Sequence, residues 1–203
     1  VDLSTINNFV NSNKYKYFLK ENIVPSELHN QLLIDVPNFE KSNAFVINKN
    51  GTTTHNLTRY NHIRNNFQDD SMFDMLVDDS IVELKNLIKP LLLEQGLIKP
   101  VIKGVQNYTN PNSMSWHKDF VPEEMAIDPL KRFISFVILS NDELDHEFMV
   151  GSSAESYNTW KLGLHTKLKT NLIIGHNQNL GHEYIKKGDG NICIFSLLYY
   201  DLV

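Results

Sequence analysis

From Pro100 onward the 203-residue chain changes its pattern, and this change most restricts the fold. Residues 101–108, 132–140, 148–150, 171–174 and 191–200 are short runs rich in β-branched and aromatic side chains. Turn-rich loops such as Asn110-Pro111-Asn112 and Lys187-Gly188-Asp189-Gly190 separate them, with no helical periodicity between. Successive strands with turn punctuation pair antiparallel and close into a barrel or sandwich.

The first half reads differently. Residues 1–13 are polar and Asn-rich, the composition of a loosely held terminus. A strand is expected over 15–24, and Pro25-Ser26 opens a helix through Leu33. Residues 44–47 form a short strand stopped by Asn48-Lys49-Asn50-Gly51. Over 71–88, Met72, Phe73, Met75, Leu76, Ile81, Val82, Leu84, Leu87 and Ile88 define one apolar helical face, which Pro90 kinks or restarts and Gly96 ends. The expected class is therefore mainly β with flanking helices (α+β). One domain spans 1–203, with a mixed α/β support region over 1–99 and a strand-built core over 100–203.

Composition narrows the function classes. The net charge is −5 and both signs are interspersed, which argues against a general nucleic-acid binder with its basic stripe. No apolar run reaches the length of a membrane span, and no signal peptide opens the chain. The single cysteine, Cys193, sits in Ile192-Cys193-Ile194-Phe195. It excludes an intramolecular disulfide and reads as a buried, inert thiol in a reducing, cytoplasmic setting.

The residues that carry chemistry start at Trp116-His117-Lys118-Asp119-Phe120. In an extended segment His117 and Asp119 project to one face and Lys118 to the other. Imidazole nitrogen plus a carboxylate oxygen suits Fe(II), Mn(II) or Zn(II), and a second, distant His would complete a two-His, one-carboxylate face of the kind used by non-haem Fe(II) enzymes. Alone, His-x-Asp is a weak motif, equally at home in a surface loop. His182, His176, His165 and His146 compete for the distal place. No His-Glu-x-x-His motif is present, which argues against a zinc hydrolase.

The order of segments adds weight. A Tyr108-ended strand and a Pro/Asn loop precede Trp116-His117; the Arg132-led strand follows; then come Leu172-Ile173-Ile174-Gly175, His182, and Gly188-Asp189-Gly190 before a last apolar strand. Over roughly residues 100–200 this resembles the Fe(II)- and 2-oxoglutarate-dependent oxygenases, within them the prolyl-4-hydroxylase-like group. The resemblance implies a double-stranded β-helix (jelly roll) with Fe(II) held by His117, Asp119 and His182, which are also the catalytic residues. His182 is preferred over His176 because it lies between an apolar strand and a Gly-rich turn, as the family's distal ligand does. Tyr108 and Arg132 fall where the group places co-substrate-binding residues. The implied cofactors are Fe(II), 2-oxoglutarate and O2. The implied partner is a small-molecule, amino-acid or peptide substrate, and the carboxylate Asp119 favours hydroxylation or desaturation over halogenation.

One position departs from the family. A basic residue usually follows the distal His and pairs with the far carboxylate of 2-oxoglutarate; here that position reads as Asn191. Arg offers a charged bidentate fork, whereas Asn offers one neutral amide. Arg132 is the first candidate for the missing cation, ahead of Lys131, Lys169 and Lys187. Alternatives are an Fe(II) oxygenase that does not use 2-oxoglutarate, and a metal-binding, cupin-like or interaction domain. Cupins present His-x-His with a Glu, which this chain lacks. Loops 121–130 and 141–161 are expected to flank the mouth, with Glu123, Glu124, Asp128, Asp142, Glu143, Asp145 and Glu147 as an acidic rim that would favour a cationic or amine-bearing substrate.

Overall fold

The computed structural model describes residues 17–42, 45–47, 53–55, 79–118, 132–152 and 161–201. Nine of the described strands and both helices lie in three layers. In chain order they are β1 (Tyr17–Glu21), α1 (Ser26–Ser42), β2 (Phe45–Ile47), β3 (Thr53–His55), α2 (Asp79–Glu94), β4 (Pro100–Thr109), β5 (Met114–His117), β6 (Arg132–Leu139), β7 (Glu147–Ser152), β8 (Lys161–Lys167), β9 (Asn171–Asn177), β10 (Gly181–Ile185) and β11 (Cys193–Asp201). The major sheet runs β1-β9-β6-β11-β4 and the minor sheet β5-β10-β7-β8, while β2 and β3 pair with each other. Every pairing in the two large sheets is antiparallel.

Alternation along the central strands sorts the core into two clusters. On β6, Phe133, Val137 and Leu139 face the helices, whereas Ile134, Phe136 and Ile138 face the minor sheet. On the helical side, Leu28 and Leu32 of α1 and Ile81, Leu84, Ile88 and Leu92 of α2 cover Phe195, Leu197 and Tyr199 of β11. On the other side, Phe148, Val150, Leu164 and Tyr184 of the minor sheet close over Ile134, Phe136, Ile174 and Ile194. The major sheet is thus buried on both faces, which is why its strands read as near-continuous apolar runs.

Both helices differ from expectation at their prolines. Helix α1 continues past Leu33 through Pro37 to Ser42, and Leu33 and Val36 pack beside Leu28 and Leu32. Helix α2 continues through Pro90 to Glu94, because Ile88 and Leu92 on either side of the proline are both fully buried. Its end is a Schellman motif: Leu97 N–H donates to Leu92 O and Gly96 N–H to Leu93 O, with Gly96 at φ 88°. The expected helical residues 71–78 lie outside the described residues. Among the described residues no helix is long and apolar enough to cross a membrane.

The strand termini define two ends of the barrel. Strands β5, β7 and β9 finish and β6, β8 and β10 begin at one end; β4, β6, β8 and β10 finish and β5, β7, β9 and β11 begin at the other. His117 at the close of β5, Arg132 at the start of β6 and His182 near the start of β10 all belong to the first end.

Candidate metal centre

The β5–β10 pairing brings His117 and His182 together. His182 lies opposite His117, and Tyr184 lies opposite Met114. From His182 to Tyr184 is two steps, but from Met114 to His117 is three, so β5 carries one extra residue. Opposed residues in an antiparallel pair share a face, and this β-bulge returns His117 to the face of His182. Unbroken alternation from Met114 would instead have put Trp116 there. Trp116 lies over Gly181, where an added Cβ would fall 2.5 Å from its Cζ2.

The two imidazoles are 4.4 Å apart between centroids, inclined at 64°. His182 is 1% exposed. It packs against Phe136 at 4.6 Å and Phe148 at 5.6 Å. His117 is half-buried, and its Nδ1–H donates to Ser115 O at 2.7 Å. A carbonyl only accepts, so this bond places the lone pair of the neutral ring on Nε2. Behind His182 stands His176, 1% exposed, with its Nε2 3.2 Å from His182 Nδ1 and its Nδ1 2.8 Å from Asn177 O. Asp119 lies outside the described residues, and among the described residues no set of three His, Cys, Asp or Glu forms a metal-binding group.

The remaining histidines are elsewhere. His146 is fully buried, accepts Lys187 N–H on Nδ1 and donates from Nε2 to Gly190 O. It is a core histidine satisfied by backbone. His165 is exposed and pairs with Glu147.

Arg132 is on the same strand face as Ile134 and lies at the histidine end, with Nη1 donating to Gln178 Oε1 at 3.3 Å. Gln178 N–H in turn donates to Arg132 O. The Gln178 amide Nε2 is buried and has no hydrogen-bond partner among the described residues. The guanidinium and the amide thus lie side by side at the histidine end. Sequence reading missed Gln178; its only signal was its place in the short β9–β10 turn, four residues before His182. Tyr108 is half-buried and packs against the inner cluster, opposite Ile194 on β11.

Asn191 does not join the histidines. It is exposed, at the far end of the barrel, where its backbone N–H and Nδ2 both donate to Asp142 Oδ2 at 2.8 Å. Its Oδ1 accepts from Asn110 Nδ2. The segment after β10 turns outward to meet the β6–β7 loop, so Asn191 faces solvent and Ile192 takes the buried place beside it. The acidic run 142–147 is at that far end too. Asp145 pairs with Lys167, and Glu147 with Lys187 and His165. Hydrogen bonds from Lys187 and His165 hold the Glu147 carboxyl below the usual carboxylate range. These residues do not rim the histidine end. Loop 121–130 lies outside the described residues. Cys193 is buried and accepts from Asn107 Nδ2, as expected of an inert thiol.

Two antiparallel sheets in these orders, closed over one inner core, define a double-stranded β-helix. The same fold is found in solved oxygenase structures. The non-haem α-ketoglutarate-dependent epimerase SnoN from nogalamycin biosynthesis matches with a TM-score of 0.65 at 11% identity, over 98% of this chain and 84% of that one. A prolyl hydroxylase from Trichoplax adhaerens, in complex with a hypoxia-inducible-factor peptide fragment, matches at 0.55 and 12% identity over 98% and 88%. Iron-bound HygX from Streptomyces hygroscopicus matches at 0.58 and 9% identity over 93% and 83%. At these identities the likeness is one of fold. No family model and no curated protein sequence matches the chain.

Proposed function

We propose that the chain is a non-haem Fe(II) dioxygenase that uses 2-oxoglutarate and O2 to hydroxylate or desaturate a small-molecule, amino-acid or peptidyl substrate. The observation that carries this reading is the bulged β5–β10 pairing, which sets two imidazoles side by side on the inner face. The donor chemistry fits: neutral imidazole nitrogen on a rigid ladder, with Asp119 two residues beyond His117 to add a carboxylate. His117, His182 and Asp119 would hold the metal. Bound Fe(II) would supply the coupling of 2-oxoglutarate decarboxylation by O2, giving succinate and CO2, to oxidation of a substrate C–H bond.

The protein's own groups do the rest. Phe136 and Phe148 exclude water from His182 and fix its ring plane. Arg132, with the buried Gln178 amide beside it, is the cation we assign to the far carboxylate of 2-oxoglutarate. An unpaired buried carboxylate would cost several kcal/mol, so one charged partner at this end of the barrel is required. Tyr108 would line the inner wall of the pocket. Residues 1–203 act as one unit in this reading, with α1 and α2 bracing the major sheet.

Succinate release tests the reaction. The purified chain with Fe(II) and ascorbate should release succinate only when 2-oxoglutarate is present. Absence of release in the presence of bound iron would refute the co-substrate assignment. Arg132→Ala should raise the KM for 2-oxoglutarate by at least about tenfold, the scale of one lost charge-assisted hydrogen bond. An unchanged KM would remove Arg132 as the anchor.

A further inference from the structure

We infer that His176 is a positioning residue that fixes the tautomer of His182, so that His182 presents Nε2 rather than Nδ1 to a metal. The inference rests on the reading of His182 as a ligand and adds a residue to it. The argument is a chain of donors and acceptors. Asn177 O can only accept, so His176 Nδ1, 2.8 Å away, carries the proton. In a neutral imidazole the other nitrogen is then an acceptor. His176 Nε2 lies 3.2 Å from His182 Nδ1, so His182 must donate from Nδ1, and its lone pair is on Nε2. A backbone carbonyl thus sets the proton positions of two rings in series.

Burial makes the relay strict. His176 and His182 are each 1% exposed and Asn177 is 2% exposed, so water does not offer an easy substitute for either bond. Phe136 packs against both rings, at 5.9 Å from His176 and 4.6 Å from His182, and holds their relative tilt. The backbone supplies the spacing: β9 presents His176 on the inner face opposite Ile134, and the short turn that crosses to the minor sheet returns His182 beside it on β10. His117 reaches the same outcome locally, through Ser115 O. Both ligand candidates therefore share one design, a protein acceptor on Nδ1 that leaves Nε2 as the ligating atom.

Two readouts test this. In the metal-free protein at mildly alkaline pH, nitrogen-15 NMR of the imidazoles should show His182 protonated on Nδ1. A wild-type His182 protonated on Nε2 would overturn the proposal without need of any variant. His176→Leu keeps bulk and removes the acceptor; His176→Gln keeps an acceptor oxygen at similar reach. His176→Leu should mix the His182 tautomers and weaken Co(II) binding by about 10–100-fold, the scale for loss of an outer hydrogen-bond partner. His176→Gln should keep the tautomer and stay within severalfold of wild type. Equal Co(II) affinity in wild type and His176→Leu, or equal weakening in both variants, would overturn the positioning role. Failure of the wild type itself to bind Co(II), with the tautomer intact, would instead overturn the metal reading.

Discussion

At Gly181 and Gly175 the space for a single methyl group is missing, but the consequences differ. A Cβ at Gly181 would lie 2.5 Å from Trp116 Cζ2 and 2.8 Å from His117 O. The carbonyl cannot swing aside without moving His117, so Gly181→Ala should cost about 1–3 kcal/mol and also weaken metal binding. A Cβ at Gly175 would lie 2.3 Å from the Phe18 ring and 2.9 Å from that of Phe133, on the helical side of the sheet. Gly175→Ala should cost a similar amount in urea denaturation and leave metal affinity near wild type. Equal metal affinities for the two variants would contradict the β5 geometry. Tyr184 and Tyr199 give a pH signature. Burial pushes both phenols above the usual tyrosine range. Above about pH 10 the unfolded chain loses phenolic protons that the folded chain keeps, so stability is full below that pH and falls as pH rises. Each group contributes a slope of up to about 1.4 kcal/mol per pH unit. Tyr184→Phe with Tyr199→Phe should flatten the alkaline fall of the urea midpoint, and an unaltered fall would refute this. At this scale the sequence was legible in part. His117 and His182 could be picked out by order. His176 looked like a rival because six residues of separation do not reveal a crossing from one sheet to the other, and Asn191 looked like an inner position because nothing in Lys187-Gly188-Asp189-Gly190 announces a turn toward Asp142.

Among the elements, β5 is the one on which the site depends. It is an edge strand of the minor sheet, and its extra residue decides which side chain faces inward. Deleting Ser115 removes the bulge, and Met114-Trp116-His117 then alternates without interruption, so His117 stays on the face of His182 while the Ser115 carbonyl that accepts from its Nδ1 is lost. Such a variant should keep its far-ultraviolet circular dichroism and bind metal more weakly by about 10–100-fold, the scale for loss of an outer hydrogen-bond partner. Loss of all metal binding in a folded variant would show that His117 needs the bulge to face inward. Strands of the major sheet were legible because burial on two faces leaves apolar runs. Strands β5, β8 and β10 were not, since short edge and half-exposed segments such as Lys161–Lys167 mix Leu with Lys, His and Thr. The helices ran past Pro37 and Pro90 for a reason invisible to local propensity: Leu33 and Val36 before Pro37, and Ile88 and Leu92 on either side of Pro90, pack into the outer core.

The whole molecule is a major sheet shared by two cores. The outer core under α1 and α2 fixes the sheet, and the inner core holds the histidine pair between Phe136 and Phe148. The order of strands made an antiparallel barrel or sandwich legible, and the resemblance to the oxygenases narrowed it to a jelly roll. Which end carries the chemistry was not legible, because it follows from how the strands alternate in direction between the two sheets. That placement separates the acidic run 142–147 from the histidines and leaves Arg132 and Gln178 beside them. The most direct test is an anaerobic Fe(II) titration of wild type, His117→Ala and His182→Ala, with folding checked by circular dichroism. The account predicts one Fe(II) per wild-type chain, with each variant weakened by on the order of 100-fold or more. Folded variants that bind Fe(II) as tightly as wild type would contradict it.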